Sequence, residues 1–76
     1  MNRFIVLFER WADADHAAIR AECRLGRLLD LYCEGVGAAP TLAAIAEAKE
    51  LRAVANHRLR VLWRLAHEAR ASVPVL

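Results

Sequence analysis

Three sets of side chains in this 76-residue sequence could do chemistry: His16, His57 and His67, the thiols of Cys23 and Cys33, and two groups of basic residues. A zinc site needs three or four ligands converging on one point. His57 and His67 are ten residues apart and point in different directions on a helix, and the pair His67–Glu68 lacks the second histidine of an HExxH helix. Cys23 and Cys33 are also ten apart, which on one helix separates them by about 15 Å along the axis and about 80° around it, too far to bridge. They form no CxxC pair, and two unpaired thiols fit a reducing cytoplasm. The only serine is Ser72 near the end, and no glycine-rich phosphate loop is present. Neither a metal nor a cofactor is expected, and a chain with this little room for a closed pocket is not expected to be an enzyme.

The basic residues are the remaining candidates. Arg20, Arg24 and Arg27 share one face of a first helix, and His57, Arg60 and Arg64 share one face of a second. Like charges four apart, Arg20 with Arg24 and Arg60 with Arg64, repel by a few tenths of a kcal/mol (about 0.2–0.5). A polyanion would relieve that repulsion, as would the nearby acids Asp13, Asp30, Glu34 and Glu68. The net charge of +2 permits contact with nucleic acid without requiring it. Ten arginines against one lysine fit a GC-rich bacterial genome.

The elements that must position these groups are helical. Apolar residues make up 58% of the chain, and sixteen residues are alanine. Leu7, Trp11, Ala14, Ala18, Ala21, Leu25, Leu28 and Tyr32 recur at alternating four- and three-residue intervals, with no proline, which predicts a long amphipathic helix over 3–34. Residues 35–40, GVGAAP, read as a loop whose glycines suit a helix C-cap. Thr41 can cap a second helix over 41–71, whose apolar line runs through Ile45, Ala48, Leu51, Ala55, Leu59, Leu62, Ala66 and Ala69. Pro74 ends the pattern in a tail over 72–76.

The fold class is therefore all-α, a single-domain antiparallel helical hairpin. Alanines at 14, 18, 21, 48 and 55 would let the axes approach closely. Leu25, Leu28 and Tyr32 are expected to meet Leu51, Leu59 and Leu62.

The run Phe4–Phe8 does not fit an isolated hairpin, because five consecutive apolar residues point in every direction around a helix and one neighbour buries only one stripe. The run forms a strand, or a helix packed against more than one neighbour, or a frayed, partly exposed terminus. It is too short for a signal-peptide core or a membrane span, so the chain reads as soluble and cytoplasmic. Phe4, Phe8 and Trp11 are the expected partner-binding anchors, since aromatic residues dominate interface energetics.

Two resemblances extend this reading. TLAAIAEAKELRAVANHRLRVL, from Thr41, resembles the helix-turn-helix of bacterial transcription regulators: Thr41, Leu42, Ile45 and Ala46 match the first helix, Leu51 the position after the turn, and His57, Arg58 and Leu59 the recognition helix. That resemblance implies DNA reading by residues 41–65 and requires a turn near Glu50. In length, hairpin layout and a proline near the turn, the chain is also similar to the small helpers that hold type III secretion needle subunits soluble. The first expectation is a protein-interaction module, chaperone-like or adaptor-like, that completes a helical bundle with itself as a dimer or with a larger helical protein. A helix-turn-helix regulator is the alternative.

Overall fold

The computed structural model describes residues 2–71, so the expected tail lies outside the described residues. Two helices, α1 (Arg3–Cys33) and α2 (Leu42–Ala71), pack against each other as an all-α hairpin. Phe4–Phe8 belong to α1, which Asn2 starts by accepting the Phe4 N–H on its side-chain Oδ1 at 2.9 Å. Thr41 caps α2 as expected, its Oγ1 accepting from the Ala44 N–H at 3.1 Å.

The end of α1 follows from one residue. Gly35 sits at φ +76°, a left-handed conformation that favours glycine. There the Val36 N–H reaches back to the Leu31 carbonyl at 2.9 Å and the Gly35 N–H to that of Tyr32 at 3.0 Å. This 6→1 and 5→2 pair is a Schellman motif, which satisfies carbonyls the helix leaves open and turns the chain toward α2.

Residues 49–52 run through α2 without a break. The turn that the helix-turn-helix resemblance requires is not formed: alanine, leucine, lysine, glutamate and arginine around Glu50 are all good helix formers, and no glycine is there to supply a left-handed backbone.

Alanine forms the seam. Ala14, Ala18, Ala21, Ala48 and Ala55 are buried together with Leu62, and Ala18 and Ala55 are fully inaccessible. Leu51 packs against their centre. Leu28 and Tyr32, expected on this seam, are exposed. Leu25 already lies beside Ile45 and Ala48, and α2 begins at Leu42, so the last turns of α1 extend past it. The same register puts Leu59 and Leu62 beside Phe4, Phe8 and Trp11, rather than beside Leu25, Leu28 and Tyr32.

Such a seam removes little apolar surface. The exposed area is 6216 Å², against about 4,700 Å² for a compact protein of 8.5 kDa, an excess of about 1,500 Å². The radius of gyration is 17.9 Å, where a compact chain of this length has about 11 Å. The hairpin is a slab of 63 × 24 × 15 Å, one helix layer thick, and large apolar side chains such as Phe4, Phe8, Leu29 and Trp63 stay exposed on it.

Candidate interaction surface

Phe4, Phe8 and Trp11 follow one another at intervals of four and three, so they form a stripe on one side of α1. Phe8 and Trp11 meet edge to face with ring centroids 5.5 Å apart. Across from them, α2 contributes Leu59, Leu62, Trp63 and Ala66. Together the seven residues line an open groove of about 320 Å³ without a single charged side chain. Phe4 is 41% exposed, Phe8 48% and Trp63 60%, so the groove walls face outward. His67, a turn beyond Trp63, lies against its ring at 5.7 Å.

The three expected anchors are thus brought together, and half of the groove went unrecognised in the sequence. Trp63 was the available signal: it follows Leu59 by four and sits just beside the apolar line of α2, where a solvated face ordinarily carries a polar residue.

Along the same side of the hairpin the surface turns polar. The α1 stripe continues through Asp15 and Glu22, and the α2 stripe through Asn56, Arg52 and Lys49. Arg52 joins the two helices: its Nη1 donates to Asp15 Oδ1 at 2.8 Å, its Nη2 to Glu22 Oε1 at 2.6 Å and its Nε to Glu22 Oε2 at 3.0 Å. The bond from Arg52 holds the Glu22 carboxyl below its ordinary value, and the bonds to Glu22 and Asp15 push the guanidinium further up. Leu25, Ile45 and Ala48 line a groove beside this crossing, together with Glu22, Lys49, Arg52 and Asn56.

The two basic sets are not brought together. Arg24 lies near the loop, 3.9 Å from Glu47, with both side chains exposed. Arg20 and Arg27 flank it on α1. His57, Arg60 and Arg64 belong to the other half of α2: His57 shares a groove with Leu7, Arg10, Arg58 and Val61, and Arg64 one with Arg3 and Glu68. Arg58 donates to the Arg10 carbonyl at 3.0 Å. Cys23 and Cys33 are unpaired and exposed.

No family model, curated protein or solved structure matches the chain. Among the described residues no helix is long and apolar enough to cross a membrane.

Proposed function

We propose that this chain is a small protein-interaction module whose uncovered side docks against an apolar helical surface and completes a bundle. The groove between Phe4, Phe8 and Trp11 on one helix and Leu59, Leu62 and Trp63 on the other carries the reading. Its lining is apolar and rich in aromatic side chains, the composition of the central part of an interface. The excess exposed area of about 1,500 Å² compares with the roughly 800 Å² that each partner buries in a standard interface. Exposed, unpaired thiols fit a reducing cytoplasm. An adaptor or a chaperone-like helper for a helical client is the biological form this takes.

Two double variants test it: Phe4→Ser with Phe8→Ser, and Arg60→Gln with Arg64→Gln. Each is compared with the wild type for association by sedimentation velocity and for binding of the apolar dye ANS, at low and high salt. The aromatic pair should lose association and dye binding, while the basic pair keeps both and salt changes neither. Retention of both by the aromatic pair overturns the reading. So does tight binding of a random-sequence DNA duplex that salt and the basic pair abolish, because that is the signature of phosphate neutralisation.

A further inference from the structure

We infer that the occupant of this side is a second copy of the same chain, laid face to face with the same ends together. The inference rests on the docking reading above and adds the partner and its orientation.

From the open end of the hairpin to the loop, each helix presents the same three layers on this side. On α1 they are the aromatics Phe4 and Phe8, then the acids Asp15 and Glu22, then Gly26 and Leu29. On α2 they are Trp63, then the bases Arg52 and Lys49, then Ile45 and Leu42. The register within the chain holds these layers level, since Phe4 and Phe8 share a groove with Trp63, Glu22 bonds Arg52, and Leu25 lies beside Ile45.

A two-fold axis along the length of the hairpin places α1 of one copy over α2 of the other. Aromatic then meets aromatic, the acidic stretch meets the basic one, and aliphatic meets aliphatic. Every neighbouring pair of helices is antiparallel, the arrangement of an up-down four-helix bundle. The other two-fold packing, with ends reversed, lays α1 on α1 and α2 on α2. It sets Asp15 and Glu22 against their own copies and Arg52 and Lys49 against theirs, and such like-charge contacts are costly in an interface. In the middle layer of this side two acids on α1 lie level with two bases on α2, and that layer sets opposite charges together when the copies are crossed in the first way.

Two further observations fit a copy of the chain. Lys49 makes no ion pair among the described residues, and in this packing it faces the acidic stretch of the second copy. Gly26 sits inside α1, where glycine weakens a helix, and nothing lies within 4 Å of where its Cβ would be. The chain itself does not use that space. Leu42, 85% exposed, and Ile45 are the side chains that a second copy brings to this layer.

Cys33, exposed at the loop end of α1, reports the orientation without an introduced residue. In the Cys23→Ser protein a nitroxide on Cys33 is measured by pulsed electron spin resonance. The expected result is one distance of about 10–20 Å between copies, one to two interhelical spacings. A distance of about 45 Å, the length of the helix, overturns the orientation. A monomer with no distance between copies, at concentrations where the Cys23→Ser protein folds, overturns the second copy as occupant. In that event the docking reading is judged separately, by whether dye binding depends on Phe4 and Phe8. Gly26→Trp supplies an independent check: it should keep the helicity of the wild type and weaken dimerisation at least about tenfold, since a hot-spot-sized obstruction costs more than that in a packed interface. Unchanged dimerisation overturns the proposal.

Discussion

Arg52 on α2 grips Glu22 on α1 at two points, Nη2 to Oε1 at 2.6 Å and Nε to Oε2 at 3.0 Å, while its remaining nitrogen reaches Asp15. This is the one place among the described residues where side-chain hydrogen bonds between two side chains tie the helices together, and it lies on the side where the large apolar groups are uncovered. The geometry is specific to a planar fork. Lysine offers a single point charge and cannot reproduce it. Melting temperatures at one fixed protein concentration should fall from wild type to Arg52→Lys to Arg52→Ala, with helicity retained at low temperature. Arg24→Ala is the control: its contact with Glu47 is 3.9 Å long between exposed side chains, and such pairs contribute little.

Acid should undo the grip in a defined order. The bond from Arg52 depresses the Glu22 carboxyl in the folded state below its ordinary 4.5. A group whose folded value is depressed stabilises the fold fully above its unfolded value and loses that contribution as pH falls through the folded one. Glu22→Gln should therefore melt lower than wild type at neutral pH. The difference between the two melting temperatures should shrink once the pH drops below about 4.5 and vanish below the lowered value. A difference that persists unchanged into strong acid contradicts the assignment to charge.

The alanine seam sets the distance between the helices. Ala18 and Ala55 have no exposed surface, so a larger side chain at either position has nowhere to go without separating the axes. Ala18→Leu or Ala55→Leu should cost about 1–3 kcal/mol in urea unfolding. Ala43→Leu, on the exposed side of α2, should stay within about 0.5 kcal/mol of wild type.

Most of the fold was legible because helices announce themselves by period and by their ends. The alternation of four and three through Leu7, Ala14, Ala21 and Leu25 marked the buried side of α1, and Thr41 and the glycines near residue 35 marked the break. What period cannot supply is register. It tells which side of each helix faces the other, and nothing about how far one slides along its neighbour. Leu59 and Leu62 were consequently paired with the wrong end of α1, and Leu28 and Tyr32 were buried in expectation and exposed in fact. Arg52 was invisible for the same reason, since its meaning depends on which acids lie opposite. The continuity of α2 through Glu50 decided between the two readings of residues 41–65, and local helix formers favoured the unbroken one.

The chain has two tryptophans, Trp11 and Trp63, and both line the aromatic groove, so their emission is a native reporter of whether that groove is covered. The most direct measurement is the emission maximum as a function of protein concentration, beside sedimentation of the same samples. A shift to the blue that tracks the formation of the larger species, and that Phe4→Ser with Phe8→Ser removes, is the predicted result. If the larger species forms while the emission stays where it was, the copies associate through some other surface, and the central claim about the groove is contradicted.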